Sequence, residues 1–156
     1  MRVDSANAFV LLAVSTLSTL VLVYAKDSIE KEIEASKHSL FYTAHLLCLA
    51  GLSGMLLTGD AFNLFVFLEI SSLATYTLVG LASDRRCLTP AFRYLVMGTI
   101  GATFILIGVG MLYMMTGTLN MLDLASRIDV YESSRTINTG MAFIIVGVSI
   151  KLALFP

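Results

Sequence analysis

Long apolar runs, and the short polar stretches between them, dictate the fold class of this chain. The runs fall at 7–25, 39–57, 61–82, 91–115 and 140–156, and each carries at most one formal charge. About 20 predominantly apolar residues are needed for a helix to span a bilayer. In lipid, only helices or closed barrels satisfy every backbone polar group internally. The pattern therefore predicts an all-α, polytopic transmembrane bundle of about five spans, forming a single domain over residues 1–156. Charged residues make up 13% of the chain, against about one quarter in soluble domains. The net charge of −1 argues against nucleic acid as a partner.

The connections carry their own signals. Residues 26–37 mix both signs of charge and read as a solvated, helical connector. Val23-Tyr24-Ala25 has the look of a signal-cleavage site, but the run before it is long and only Arg2 precedes it, so it is read as a retained span. Thr58-Gly59-Asp60 is a tight link in which Asp60 suits the N-cap of the next helix. Pro90 suits a first helical turn. Residues 121–131 read as a short helix lying at the membrane interface. Cys48 and Cys87 lack metal-ligand spacing, and each reads as a small apolar filler. Basic residues set the orientation. Lys26, Lys31, Lys37, Arg85, Arg86 and Arg93 fall on one side, against Arg2, Arg127 and Arg135 on the other. By the positive-inside rule the N-terminus lies outside and the 26–38 and 83–90 loops lie in the cytoplasm.

Besides Arg93 at the very start of the fourth run, two charges interrupt the apolar runs. Glu69 lies within the third run and Lys151 within the fifth. An acidic residue at the centre of a membrane helix costs about 2.5–3.5 kcal/mol on insertion scales, and such residues usually mark ion or proton sites. The third and fifth runs point the same way, and both charges fall within a turn of the same depth. Burial disfavours the charged form of each group, and proximity favours both. A pair balanced between these effects can be switched by a proton or a third charge, or can serve only to hold two helices together. Ser72 supplies a hydroxyl one turn from Glu69, and Gly147 leaves room one turn before Lys151. His45 is either a relay group or a neutral histidine bonded to a neighbouring helix. Pro156 disfavours α conformation at Phe155, which predicts a helix break there.

The string LTGDAFNLFVFLEISSLATYTLVG resembles the core motif of the antiporter-like membrane subunits: the D-type subunit of Mrp sodium/proton antiporters, and its homologues in respiratory complex I and membrane-bound hydrogenases. The ending GMAFIIVGVSIKLALFP is similar to the lysine-bearing broken helix of that family, and the stretch between fits as well. The resemblance covers roughly residues 37–156. It implies that Glu69 and Lys151 match the glutamate and lysine at the uptake end of a proton path; the residues themselves add His45, Asp60 and Ser72 as candidate relay or supporting groups. It also implies that these runs form part of an inverted-repeat fold of about fourteen helices, so a partner supplies the rest.

The expected function is thus a partial proton-conducting subunit of a multisubunit complex in the cytoplasmic (inner) membrane, either a cation/proton antiporter or a complex I-like oxidoreductase. Protons, with sodium as a second candidate, are the ions. The alternative is a non-transporting assembly subunit or a remnant of the family. The sequence contains no nucleophile–base pair, phosphate loop or metal-ligand spacing, so no cofactor is expected on this chain.

Overall fold

The computed structural model describes residues 4–81, 85–128 and 134–154. Among the described residues six helices follow in order: α1 (Ser5–Glu32), α2 (His38–Leu57), α3 (Ala61–Gly80), α4 (Leu88–Thr116), α5 (Met121–Ile128) and α6 (Arg135–Lys151). Single 3-10 turns precede α2 (Ala35–Lys37) and α4 (Arg85–Cys87). Four of these helices, α1 to α4, are long and apolar enough to cross a membrane. At 17 residues, α6 is about 25 Å long at 1.5 Å per residue, short of a full crossing.

The helix ends follow from local chemistry. The first run predicted a span over 7–25, but α1 continues to Glu32 because nothing in 26–32 breaks a helix. It ends where Ile33 turns extended, and the His38 ring bonds the Ile33 carbonyl at 2.9 Å. Helix α4 begins at Leu88, three residues before the expected 91, with Pro90 in its first turn. It ends at Gly117, whose φ of +71° lets its N–H reach the Tyr113 carbonyl at 2.7 Å. Helix α5 spans 121–128; the expected residues 129–131 lie outside the described residues.

The fifth run differs most from its expectation. The helix break expected at Phe155 lies earlier, since α6 ends at Lys151. Ala153 takes a φ of +50°, its N–H bonds the Ile150 carbonyl at 3.2 Å, and the Leu154 N–H bonds the Ser149 carbonyl at 3.0 Å. These crossed bonds form a Schellman motif, here with alanine at the position usually held by glycine. Residues 155 and 156 lie outside the described residues.

The chain forms two compact units. The first comprises Met1–Leu57 and Phe67–Leu95, the second Thr58–Val66 and Val96–Pro156. In the first, Gly51 packs against α3: a Cβ there would come within 2.7 Å of the Ser71 nitrogen and 2.8 Å of the Phe67 carbonyl. Cys48 of α2 faces Ser71 at 3.8 Å and Thr75 at 3.5 Å, and Ala44, Ala74 and Tyr76 are buried. In the second unit α4 and α6 cross on glycine. A Cβ on Gly147 would lie 2.6 Å from the Gly101 carbonyl, and one on Gly108 would lie 2.6 Å from the Gly140 carbonyl. The two contacts are seven residues apart on each helix and run in opposite chain directions, so α4 and α6 are antiparallel. Phe104 and Phe143 stack between them with centroids 5.4 Å apart.

Candidate functional site

Asp60 sits in a small clasp between two loops of the second unit. Ala61 N–H donates to the Leu119 carbonyl at 2.8 Å and Met121 N–H to the Gly59 carbonyl at 2.9 Å, so Asp60 and Asn120 pair in an antiparallel bridge. The two strands of the clasp repeat one motif. Thr58 Oγ1 accepts from Asp60 N–H and Thr118 Oγ1 from Asn120 N–H, both at 3.3 Å. Each Asx then caps a helix: Asp60 Oδ1 accepts from Asn63 N–H at 2.8 Å, and Asn120 Oδ1 from Leu122 N–H at 3.0 Å. Asp60 therefore acts as the N-cap of the helix that carries Glu69. Arg127 secures the clasp from α5. Its Nη1 donates to the Thr116 carbonyl at 2.9 Å, and its Nε donates to Asp123 Oδ1 at 2.9 Å. The Arg127 hydrogen bond, with help from Thr118, holds the Asp123 carboxyl below the usual carboxylate range.

Glu69 is the ninth residue of α3 and is half-buried in the first unit. Helical geometry puts Ser72 and Tyr76 on its face and sends Ser71 and Thr75 to the opposite one. Ser72 Oγ donates to the Leu68 carbonyl at 2.7 Å and also engages the Tyr76 phenol, which in turn feels the Glu69 charge. Tyr76 is 7% exposed, and its ring meets Tyr94 of α4 edge-on at a centroid distance of 4.6 Å. The carboxylate thus sits at one end of a short hydroxyl-bearing face.

His45 lies elsewhere in the first unit. Its Nε2 is 2.8 Å from Ser18 Oγ of α1, and its ring stacks on Phe41 one turn earlier at 6.3 Å. The bond ties α1 to α2 and satisfies a polar ring among apolar neighbours, as a structural histidine requires.

Lys151 belongs to the second unit, at the last helical position of α6. Its stem lies on Gly101: a Cβ there would come within 3.2 Å of Lys151 Cγ. A larger residue at 101 would displace it. Lys151 stands at the carbonyl end of the helix, where the macrodipole favours a cation. The Schellman turn at 152–154 makes that end possible.

Asp60, Glu69 and Ser72 share one helix or its cap; His45 lies on α2 and Lys151 at the end of α6. Tyr94, Ser18 and Asn120 are partners that sequence reasoning did not single out. For Asn120 a signal was present in the repeated Thr-x-Asx spacing at 58–60 and 118–120.

Comparison with known proteins gives a consistent result. The profile described as NADH:quinone oxidoreductase/Mrp antiporter, transmembrane, matches residues 58–156. NADH-quinone oxidoreductase subunit N of Desulforudis audaxviator is 44% identical over 99% of this chain and 30% of its own length. The Na(+)/H(+) antiporter D subunit of Alkalihalophilus pseudofirmus is 35% identical over 97% of this chain and 30% of its own length. A chain of the membrane-bound sulfane sulfur reductase, an archaeal respiratory membrane complex, superposes with a TM-score of 0.73 at 35% identity. That match covers 90% of this chain and 27% of the other. The chain thus spans about 30% of the length of the curated relatives it matches.

Proposed function

The chain belongs to the NADH:quinone oxidoreductase/Mrp antiporter transmembrane family, and on that footing we propose that it takes part in proton conduction, with Glu69 and Lys151 each as a proton-handling residue. The observation that carries this reading is a carboxylate in the interior of membrane helix α3 and an ammonium at the broken end of α6, both within the matched residues 58–156. Each charge costs several kcal/mol to hold at membrane depth unless it is paired or solvated, and a carboxylate that gains and loses a proton is a natural carrier. Asp60, as the cap of α3, fixes the start of the helix that bears Glu69, and Ser72 supports the carboxylate's face. His45 acts as a helix tie to Ser18.

In this reading the chain works within a multisubunit complex of the cytoplasmic membrane, with its N-terminus outside. Other membrane subunits or segments supply the remaining helices of the path. Sodium is the second ion where the complex is an antiporter.

The test is Glu69→Gln in the assembled complex. The substitution keeps shape and removes the titrating group. Loss of proton movement by a factor of about 100 or more, the range for removing an acid–base group, with normal assembly, is the expected result. Unchanged proton movement with reduced assembly would instead make Glu69 a scaffold residue.

A further inference from the structure

The hydroxyl-bearing face beyond Glu69 is not explained by packing alone. On α3 the hydroxyl side chains divide into three sets. Ser71 and Thr75 turn toward Cys48 of α2, and Thr77 is exposed and bonded to the Leu73 carbonyl at 2.9 Å. Ser72 and Tyr76 lie on the Glu69 face, three and seven residues further on. Seven residues of helix span about 10 Å. Tyr76 is 7% exposed, so its phenol must find partners inside the protein. The hydroxyl engages Ser72 on its own helix, and the ring meets that of Tyr94 on α4 edge-on. Tyr94 is the seventh residue of α4 and is 46% exposed. Glu69, Ser72, Tyr76 and Tyr94 therefore form a graded series. It runs from a half-buried carboxylate, through a buried phenol, to an exposed phenol near the end of the membrane where α3 gives way to α4. Phenylalanine at 76 and 94 would preserve the edge-on ring contact, so the oxygens need another reason.

We propose that Ser72, Tyr76 and Tyr94 form a hydroxyl ladder that passes protons between the Glu69 carboxylate and water at the α3–α4 end of the membrane. This rests on the reading of Glu69 as a proton carrier and adds its access route. In each step one O–H bond forms on an oxygen as its other O–H bond breaks, so every hydroxyl is neutral before and after. The net change is one proton taken from water at Tyr94 and one O–H bond made on the Glu69 carboxylate. Ser72 must turn its hydroxyl from the Leu68 carbonyl at its step, and water bridges gaps that the side chains do not span.

The experiment measures the initial rate of proton movement by the whole assembled complex in proteoliposomes. It compares the parent with Glu69→Gln, Tyr76→Phe, Tyr94→Phe, Ser72→Ala and a control, Tyr113→Phe, at an exposed tyrosine of α4 outside the ladder. The ladder predicts a rate reduced about ten-fold or more in Tyr76→Phe and Tyr94→Phe, with assembly and the control unchanged. Parent-like rates in both, with Glu69→Gln inactive, overturn the ladder and leave the Glu69 reading standing. A slow Tyr76→Phe beside a normal Tyr94→Phe also overturns it, because Tyr76 would then only support the carboxylate. An active Glu69→Gln overturns both readings. Should Tyr76→Phe fail to assemble, Ser72→Ala and Tyr94→Phe decide: slow rates support the ladder and normal rates overturn it.

Discussion

Ala153 holds an L-residue in the left-handed region, with φ +50°, directly after the helix that carries Lys151. That conformation costs an L-residue roughly 1–2 kcal/mol, because Cβ crowds the following carbonyl. Glycine removes the cost but adds freedom to the unfolded chain, worth about 0.4–1 kcal/mol the other way. The two effects leave a net gain on the order of 1 kcal/mol for Ala153→Gly. Ala153→Val moves in the opposite direction, since a β-branched residue tolerates positive φ worst. Thermal unfolding of the purified complex in detergent checks this; a higher midpoint for glycine and a lower one for valine is the expected order. The same residue shows what the sequence hides. Pro156 announces a stop by its chemistry, whereas an alanine Schellman turn has no marker residue, so the break falls earlier than the sequence suggests. Glu69 and Lys151 stand out because a charge in an apolar run is conspicuous without any structure. Ser18 does not, because Ser15, Thr16 and Thr19 on the same helix look alike and bond only to their own backbone.

At the scale of elements, the crossing of α4 and α6 fixes where the Lys151 stem lies. Membrane helices lack a hydrophobic drive toward one another, so close backbone approach and van der Waals contact supply the association. Gly101 and Gly147 provide that approach at the end nearer Lys151, and Gly108 and Gly140 provide it one heptad away. Small residues along 98–110 are readable in the sequence as a packing face, but sequence alone does not separate the seam from its neighbours. Gly110 is the instructive case: a Cβ there would meet nothing within 4 Å. Gly147→Ala should therefore force backbone apart and cost roughly 1–3 kcal/mol, the range for overpacking. Gly110→Ala should leave stability of the isolated chain unchanged or slightly raised. Unfolding midpoints of the two variants in detergent decide the matter; equal losses would mean that the seam is not the glycine contact described here. The clasp at 58–61 and 117–121 was only half legible. Asp60 reads as a cap from its place before an apolar run, but its bridge to Asn120 joins residues 60 positions apart.

For the molecule as a whole, the apolar runs left little freedom in fold class, because a backbone in lipid has few ways to satisfy its polar groups. How the chain is oriented rests on a smaller asymmetry, six basic residues on one side against three on the other. The helices add a physical reason to expect the same outcome. Helix α1 carries Lys26 and Lys31 beyond its apolar stretch on a continuous helical extension, which holds these charges close to the surface where the bias acts. Arg127, by contrast, is engaged by Asp123 and the Thr116 carbonyl, and so offers a less free positive charge on the opposite side. On the proposed orientation, Ser36 would lie in the cytoplasm and Ala125 outside. Single cysteines at these two exposed positions, in a chain with Cys48 and Cys87 replaced by alanine, allow a direct check in intact cells with a membrane-impermeant thiol reagent. Ala125→Cys should be labelled in intact cells and Ser36→Cys only after permeabilisation. The reverse pattern would invert the membrane sidedness of the Glu69 site, and the hydroxyl ladder would then open to the outside rather than to the cytoplasm.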